Sequence, residues 1–223
     1  MVKLNRVDLD GIEFLVPGPV DPAFPPGFFD RVDPTPDTRF YDAPRLVTHI
    51  DRAAIDAVGE LYEELGLRGE VLDLMSSWIS HFRRTPARLT VLGLNDDELR
   101  ANRQAGRVVV RDLNIDPTLP FADASFDDVV CCVSIDYLVR PLDVFREVAR
   151  VLRIGGRFVV TFSDRCFPTK AIRGWLETDD GGHVEIVRRY FELAGGFGPA
   201  TSKLRSDPAD GADPLYGVWA SRR

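Results

Sequence analysis

The side chains in this sequence that can move a proton are its histidines and a tyrosine that follows an aspartate. The histidines are His49, His81 and His183, and the pair is Asp136 and Tyr137. Imidazole, carboxylate and phenol groups serve as general acids and bases when an enzyme positions them against a reacting proton. These residues are therefore the candidates for proton transfer, provided that the fold brings some of them to one pocket.

Metal and covalent chemistry have weaker support. Asp179, Asp180 and His183 lie close together, but three possible ligands on one loop without a supporting partner are a weak sign of a metal site. His183 is more simply interpreted as a residue at the start of a helix. The sequence contains neither a nucleophile elbow nor a phosphate-binding glycine loop. We predict no metal site.

The composition limits the kinds of partner. The chain of 223 residues carries 28 lysines and arginines against 35 aspartates and glutamates, a net charge of −7. Such a surface does not favour nucleic acid, whose phosphates need basic side chains. No apolar run reaches the roughly 20 residues that cross a bilayer, and no signal pattern is visible at the N-terminus. With only three cysteines, which suit a reducing compartment, we predict a soluble cytoplasmic protein that binds a small molecule.

Residues 1–46 differ in composition from the rest of the chain. They contain eight of the sixteen prolines and six aromatic residues. Proline fixes φ and removes a hydrogen-bond donor, which argues against regular helices and central strands. The aromatic content argues against a disordered tail. We predict an irregular arm over residues 1–46 that packs on a main domain formed by residues 47–223.

Strands and helices alternate along the main domain. A helix is predicted after Asp51, its N-cap, and it ends near Gly66. A helix is also predicted around His81, which would lie on its solvated face beside Arg83 and Arg84, and a later helix is predicted at residues 142–152. Five apolar strands are predicted at residues 71–75, 89–94, 108–111, 126–133 and 156–162. Because these strands are apolar nearly throughout, they are typical of parallel strands covered on both faces.

The C-terminal part of the chain changes this alternation. Helices are predicted at residues 169–177 and 183–194, and a polar loop at residues 206–214 precedes a final strand at residues 215–220. Two strands that are joined directly by a loop pair antiparallel. The predicted fold class is therefore α/β, a doubly wound and mostly parallel sheet with a C-terminal antiparallel hairpin.

One continuous segment carries a family resemblance. It runs from the turn before the strand at Phe126, through the helix that starts at Pro141, to the glycine pair at 155–156. In order and spacing it resembles the class I S-adenosylmethionine-dependent methyltransferases, type 11-like, and the resemblance covers residues 68–165. It implies a Rossmann-like fold, S-adenosylmethionine as cofactor and an acceptor that receives the methyl group.

The resemblance also implies which residues hold the methionyl part of the cofactor. In this family the first strand ends in an acidic residue, and a glycine-rich loop follows. Asp73 matches the acid, but the loop reads Met75, Ser76, Ser77, Trp78 and contains no glycine. The small serines allow a similar approach of the backbone, whereas Met75 and Trp78 must point away or reshape the pocket.

Two further strand ends match the nucleoside contacts of the family. Asn95 follows the second strand, 22 residues after the acid of the first strand, and its amide can bond the ribose diol. The neighbouring Asp96 is the alternative. The residues that match the adenine contacts are Asp112, Leu113 and Asn114. For Asp112, a plain turn or cap residue is the competing interpretation.

The wall of the pocket is expected to continue beside the fourth strand. Ser134 and Tyr137 follow that strand, and ligands of open α/β sheets lie at the carboxyl ends of the strands. Ser134 and Arg45 are counted with the predicted cofactor-binding residues. In similar methyltransferases an N-terminal segment often covers the site. Tyr41, Arg45 and His49 are therefore predicted to close over cofactor and acceptor, with Arg45 facing a carboxylate. Tyr137, His49 and Tyr41 are the candidate catalytic residues, with packing and surface roles as the alternatives.

Three interpretations of function stay open from the sequence. The first is an active methyltransferase for a small-molecule acceptor. The second is a binding or regulatory protein of the same fold that has lost transfer, as the altered loop suggests. The third is a nicotinamide-dependent oxidoreductase, which is disfavoured because the G-x-G-x-x-G fingerprint is absent.

Overall fold

A computed structural model describes residues 1–3, 12–33, 35–207 and 211–223. The strands are β1 (Val2–Lys3), β2 (Glu70–Leu74), β3 (Arg88–Gly93), β4 (Arg107–Val110), β5 (Phe126–Cys132), β6 (Leu152–Phe162), β7 (Arg165–Cys166), β8 (Thr201–Ser206) and β9 (Leu215–Ser221). Seven of them form one sheet in the order β4-β3-β2-β5-β6-β9-β8, and β1 pairs with β7 separately.

The sheet has the predicted mixture of directions. Strands β4, β3, β2, β5 and β6 run parallel to their neighbours, whereas β9 is antiparallel to both β6 and β8. The predicted α/β fold, a mostly parallel sheet that ends in an antiparallel hairpin, is confirmed. The order along the sheet reverses between β2 and β5, which marks the point where open α/β sheets bind ligands.

Helices cover both faces of this sheet. They are α1 (Asp37–Phe40), α2 (Arg52–Glu64), α3 (Asp96–Ala101), α4 (Pro141–Val151), α5 (Arg173–Leu176) and α6 (Asp180–Ala194), and a 3₁₀ turn spans Ile135–Tyr137. Residues of α2 and α3 share one buried cluster with Val71 and Val91. Residues of α4 and α6 share a second cluster with Leu72 and Leu92. Alternate residues of one strand thus face opposite layers, as a doubly wound sheet requires.

Helix α2 begins and ends where the sequence predicts. The Asp51 carboxylate accepts a hydrogen bond from the Ala54 amide at 2.9 Å, which makes it the N-cap. Gly66 follows the helix with φ +67, a left-handed conformation that glycine adopts without strain. The helix buries Val58 and Leu61 completely, and each such side chain contributes about 1.5–3 kcal/mol to the burial free energy.

The crossover between β2 and β3 contains no helix, so the helix predicted around His81 is wrong. Met75 and His81 adopt left-handed φ values of +54 and +58, which interrupt helical geometry. Instead, the Asn102 amide at the end of α3 donates to the Ser77 carbonyl at 3.1 Å and to the Ser80 hydroxyl at 2.7 Å. These long-range bonds fix the segment as an ordered loop.

Two further boundaries differ from the predictions. Strand β6 begins at Leu152 and not at residue 156, because Leu152 already pairs with Phe126 and a register shift follows. The predicted helix at residues 169–177 is reduced to α5, Arg173–Leu176. Within the described ranges, none of the helices has the length and apolar character needed to cross a membrane.

A buried ionic cluster fastens the N-terminal segment to the domain. The Arg31 guanidinium donates to both oxygens of Asp37 at 2.8 and 2.9 Å. The Lys170 ammonium, whose side chain has no exposed surface, lies 3.2 Å from Asp37 and 3.3 Å from Asp33. The Asn114 amide also donates to Asp37, at 2.9 Å. Residues 4–11 and 34 of the predicted arm lie outside the described residues.

Candidate active site

The main cavity lies at the carboxyl ends of β2, β3, β4 and β5. The space between its walls is about 1170 Å³, open solvent at the mouth included. The cavity lies at the point where the strand order reverses, between β2 and β5. The sequence-predicted residues that line it are Tyr41, Arg45, His49, Asp73, Met75, Ser76, Ser77, Trp78, Asn95, Asp112, Leu113, Asn114, Ser134 and Tyr137.

Asp96 is the predicted site residue that the structure places outside this cavity. It lies in the first turn of α3, and its carboxylate accepts from Arg100 at 2.7 Å on an exposed surface. Because its side chain follows the helix surface, Asp96 does not reach the ends of the strands. It is removed from the candidate set.

The loop after β2 is held by the acid that precedes it. The Ser76 hydroxyl donates to Asp73 at 2.6 Å, and the Ser76 amide donates to the Leu92 carbonyl of β3 at 2.7 Å. A Cβ on Gly93 would lie 2.3 Å from the Ser76 carbonyl oxygen. The glycine that lets two backbones approach is therefore on the neighbouring strand and not in the loop.

Trp78 forms part of the cavity wall and leaves the cavity open. Its indole is half-buried, and the indole Nε1 donates to the Val47 carbonyl at 3.0 Å. The large side chain therefore ties the loop to residues 41–50, the covering segment, which lies over the cavity. The volume given above is the space that the Trp78 side chain leaves free.

Burial raises the pKa of the Asp73 carboxyl to about 7, although the Ser76 and Ser80 hydroxyls lower it in part. The side chain is only 3% exposed, so water contributes little to stabilising the charge. Near neutral pH, Asp73 is therefore divided between a neutral and a charged form. Both forms can hold the two serine hydroxyls, which fix the loop.

Replacing Asp73 by asparagine should change how stability depends on pH. The folded carboxyl holds its proton up to about pH 7, whereas the unfolded carboxyl loses it near 3.8. Rising pH therefore destabilises the wild type through this window. Between pH 5 and pH 8 the free energy of unfolding of Asp73→Asn should improve relative to wild type by about 2–3 kcal/mol. Urea unfolding, followed by circular dichroism at each pH, measures the free energy of unfolding of wild type and of Asp73→Asn. A difference that is constant across pH, or one shared by the exposed control Asp56→Asn, would contradict the assignment.

Both polar atoms of the Asn95 side chain are hydrogen-bonded to neighbouring segments of the chain. Its carbonyl oxygen accepts from the Glu98 amide at 3.0 Å and caps α3. Its amide nitrogen donates to the carbonyls of Tyr41 and Asp42, each at 2.9 Å. Asn95 therefore links the end of β3 to the covering segment, and a ribose diol would have to compete with these bonds.

Glu98 is a cavity residue that the sequence analysis missed. It is 8% exposed and lines the cavity. Its two oxygens accept from the Ser77 hydroxyl and, at 2.6 Å, from the Arg45 amide. In the sequence it resembles an ordinary acidic residue in the first turn of a helix, so no local signal marks it. Glu98 is the carboxylate that the cavity offers beside the end of β3.

Asn114 and Asp112, which follow β4, differ in how many of their side-chain atoms are hydrogen-bonded to the described residues. Asn114 donates to Asp37 and to the Tyr137 carbonyl and accepts from Val139, all at 2.9 Å, so its amide bridges three segments. One oxygen of Asp112 accepts from the backbone amides of Asn114 and Ile115. Burial raises the pKa of Asp112. Asp112 is thus a turn residue, as the competing interpretation proposed, and its second oxygen accepts no hydrogen bond from the described residues.

The end of β5 carries backbone strain beside the cavity. Val133 adopts φ +45, a conformation that a β-branched residue rarely occupies, and it lines the cavity. Strain of this kind persists where the surrounding structure imposes it, and it is concentrated at functional sites. The adjacent Ser134 hydroxyl donates to the Cys132 carbonyl at 3.1 Å.

Tyr137 and its neighbour Asp136 form a buried acidic pair. The Tyr137 hydroxyl accepts from the Phe167 amide at 2.9 Å, and burial raises its pKa well above the ordinary value. Burial also raises the pKa of Asp136 to about 8, and one of its oxygens has no partner in the described ranges. Both groups are therefore mostly protonated at neutral pH, which makes Tyr137 a donor and not a base.

The covering segment brings two more candidates to the cavity. Burial raises the pKa of the Tyr41 hydroxyl and lowers the pKa of His49. His49 is consequently neutral at neutral pH and able to accept a proton, whereas Tyr41 keeps its own. Of the three predicted catalytic residues, His49 has the protonation state that a general base needs.

His81 is a second cavity residue that differs from expectation. It was predicted on a solvated helix face, but it lines the cavity, and burial lowers its pKa to about 4. His183, in contrast, lies in the first turn of α6 as predicted and stacks on Trp175 at 4.0 Å. Across the described ranges, no group of three histidine, cysteine or acidic side chains is arranged to hold a metal ion.

The strand order and the cavity define a Rossmann-like α/β protein. Residues 68–160, which are 93 of the 223 residues, match the family model described as "Methyltransferase domain". This match supports the predicted resemblance to S-adenosylmethionine-dependent methyltransferases, and with it the predicted cofactor, over that segment, and the predicted fold is confirmed. No curated protein matches the chain.

Solved structures of similar fold share little sequence with this chain. The PH0226 protein from Pyrococcus horikoshii OT3 is 18% identical, with 83% of this chain and 99% of that one covered and a TM-score of 0.56. The geranyl diphosphate C-methyltransferase from Streptomyces coelicolor A3(2), in complex with Mg²⁺, geranyl diphosphate and S-adenosyl-L-homocysteine, is 17% identical, with 83% and 97% covered and a TM-score of 0.54. The [4+2]-cyclase SpnF is 15% identical, with 83% and 91% covered and a TM-score of 0.52. At these identities the likeness concerns the fold.

Proposed function

We propose that this methyltransferase transfers a methyl group to a small-molecule acceptor that is bound with the cofactor in the cavity at the strand ends. The single observation that carries the proposal is that one cavity, covered by residues 41–50, is lined by all the strand-end segments that the family uses. A cavity that is covered by part of the chain suits a small acceptor. The geranyl diphosphate C-methyltransferase from Streptomyces coelicolor A3(2), which has a similar fold, is in complex with the small molecule geranyl diphosphate.

The residues present fit the nucleoside cofactor without a glycine-rich loop. The space that the family obtains from loop glycines is supplied by the close packing of Ser76 on Gly93, which keeps the loop low against β3. Asp73, Ser76 and Ser77 would face the methionyl part, Glu98 the ribose hydroxyls, and the free oxygen of Asp112 the adenine amine. The bound cofactor supplies a methyl group that its sulfonium activates.

The chain's own contribution is binding, orientation and exclusion of water. The covering segment closes the cavity through the bonds of Asn95 and Trp78 to its backbone. His49 is the group that would take a proton from an acceptor that must lose one on attack, while Tyr137 would donate a hydrogen bond. We also propose that residues 1–46 act as the covering arm of a domain formed by residues 47–223, and that the enzyme works in the cytoplasm, where its three free thiols stay reduced.

The proposal is tested by calorimetric titration with S-adenosylmethionine and S-adenosylhomocysteine. Saturable binding of one ligand per chain is the expected result. The fold alone does not determine the reaction, since SpnF is a cyclase, so binding must be measured directly. If neither ligand binds, the proposed function is wrong.

Replacing Asp112 by asparagine should weaken binding of S-adenosylhomocysteine by about 1–3 kcal/mol, roughly 5- to 150-fold. The asparagine oxygen keeps the turn to Asn114, but its NH₂ group replaces the oxygen that would accept from the adenine amine. Asp96→Asn is the matched control, because Asp96 lies outside the cavity, and it should bind as wild type does. Equal affinity of Asp112→Asn and wild type would show that the adenine lies elsewhere.

A further inference from the structure

Five rings form an aromatic enclosure at one end of the cavity: Phe167, His49, Tyr137 and Tyr41 line the cavity, and Phe40 packs against Phe167 without lining it. Each of the other four rings packs against Phe167. Measured between ring centroids, they are His49 at 5.4 Å, Phe40 at 5.5 Å, Tyr137 at 6.1 Å and Tyr41 at 6.3 Å. The enclosure lies beside the end of β5 and is closed by the covering segment. Its walls suit an apolar, flat body.

A single guanidinium group enters this enclosure. The Arg45 guanidinium carbon lies 4.6 Å from the Phe40 ring centroid, 5.2 Å from Tyr41 and 5.4 Å from Phe167. Its Nη2 donates to the Phe40 carbonyl at 2.8 Å. Its Nη1 is buried and has no hydrogen-bond partner within the described part of the chain, and the residue lines the cavity. A buried charged donor without an acceptor is costly, so the site is complete only when something accepts from it.

The carboxylates of this region do not pair with the Arg45 guanidinium. Asp37 is paired with Arg31 and Lys170, and Glu98 accepts from the Arg45 backbone amide and from the Ser77 hydroxyl. Among the described residues, no carboxylate lies within ion-pair distance of the Arg45 guanidinium. The Arg45 guanidinium is therefore a positive charge beside the aromatic enclosure that is not paired with a carboxylate of the described residues.

We infer that the methyl acceptor is a small carboxylic acid whose carboxylate accepts from Arg45 and whose flat apolar body lies in the cavity against the four rings that line it. Guanidinium groups recognise carboxylates in this way, and loss of water strengthens the contact. The inference rests on the proposed function and names the acceptor class for that same site. The other source of a carboxylate is the aminoacyl tail of the cofactor. It would lie toward Asp73 and Ser76, at the end of β2.

The test compares acids with their amides on the full chain saturated with S-adenosylhomocysteine. The probes are benzoate, cinnamate and indole-3-acetate, each paired with its primary amide, and their binding at pH 7 is measured by ligand-observed NMR titration. At least one acid should bind roughly 10- to 100-fold more tightly than its amide. Arg45→Gln should reduce that preference to less than about 2-fold, Arg45→Lys should keep part of it, and the exposed control Arg52→Gln should keep all of it.

A second arm separates the two sources of a carboxylate. S-adenosylhomocysteine carries the aminoacyl tail, and 5′-methylthioadenosine lacks it. If Arg45 holds the acceptor, Arg45→Gln binds both nucleosides as wild type does. If Arg45→Gln loses affinity for S-adenosylhomocysteine alone, Arg45 belongs to the cofactor and the inference is overturned. It is also overturned if no acid binds better than its amide while wild type still binds S-adenosylhomocysteine, and that result leaves the proposed function standing.

Discussion

Replacing Asp37 by alanine should destabilise the protein by about 3–5 kcal/mol, as expected when one partner of a buried ion cluster is removed. Asp37 is 6% exposed and holds Arg31, Lys170 and Asn114 at once. Without it, the Lys170 ammonium, which has no exposed side-chain surface, keeps Asp33, the Thr35 carbonyl and the face of the Phe40 ring. Urea unfolding at neutral pH measures the loss.

The matched control for this change is Asp56→Ala. Asp56 also pairs with an arginine, Arg52, but both side chains are largely exposed, and exposed pairs on one helix contribute about 0.3–0.5 kcal/mol. The contrast between the two variants tests whether burial makes the cluster essential. If Asp37→Ala lost no more stability than Asp56→Ala, the covering arm would be held by its aromatic contacts and not by the ionic cluster.

The elements of the fold could be predicted because each has a local cause. The Asp51 cap, the apolar period of α2 and the left-handed Gly66 are set by neighbours in the sequence. The apolar residues of each parallel strand are also consecutive in the sequence, so these runs indicated parallel strands that are covered on both faces. The boundaries of β6 could not be predicted in this way, since Leu152 joins the sheet through its pairing with Phe126, a contact between distant residues.

The site could be predicted only in part, and the failures share a physical cause. The loop with His81 is shaped by Asn102, which is 22 residues from Ser80, so its helix-like pattern was overridden by tertiary bonds. Glu98 is a cavity carboxylate because the chain folds back on α3 at Arg45 and Ser77. Strand-end residues such as Asp112 were found because the fold itself fixes where strands end.

The altered loop indicates how the family's architecture is kept without its glycines. In the family pattern, flexibility of the loop backbone provides the close approach to the cofactor. Here the loop is fixed by the Ser76 hydroxyl on Asp73 and by the Ser76 amide on Leu92, and Met75 takes a left-handed φ that a glycine would adopt freely. One side-chain hydrogen bond and one backbone hydrogen bond thus replace conformational freedom, and the remaining requirement for a glycine falls on Gly93.

Replacing Gly93 by alanine should therefore reduce the affinity for S-adenosylhomocysteine on the order of 100-fold. The new Cβ would lie 2.3 Å from the Ser76 carbonyl oxygen and 3.2 Å from a Leu99 methyl carbon. Because the first of these atoms is backbone, the loop must move away from β3 by about 1 Å, and forced shifts of this kind cost roughly 1–3 kcal/mol. The loop carries Ser76 and Ser77 into the cavity, so their positions change with it.

Gly106→Ala is the control for this change. Gly106 lies just before β4, and a Cβ there would meet the Leu89 carbonyl oxygen at 3.5 Å, an ordinary contact. Calorimetric titration of both variants, with circular dichroism to show that they fold, separates a local displacement of the loop from a general loss of stability. Gly93→Ala should fold and bind poorly, whereas Gly106→Ala should bind as wild type does. Undiminished binding by Gly93→Ala would mean that the cofactor does not depend on the position of this loop, and the assignment of Ser76 and Ser77 to the methionyl part would then be withdrawn.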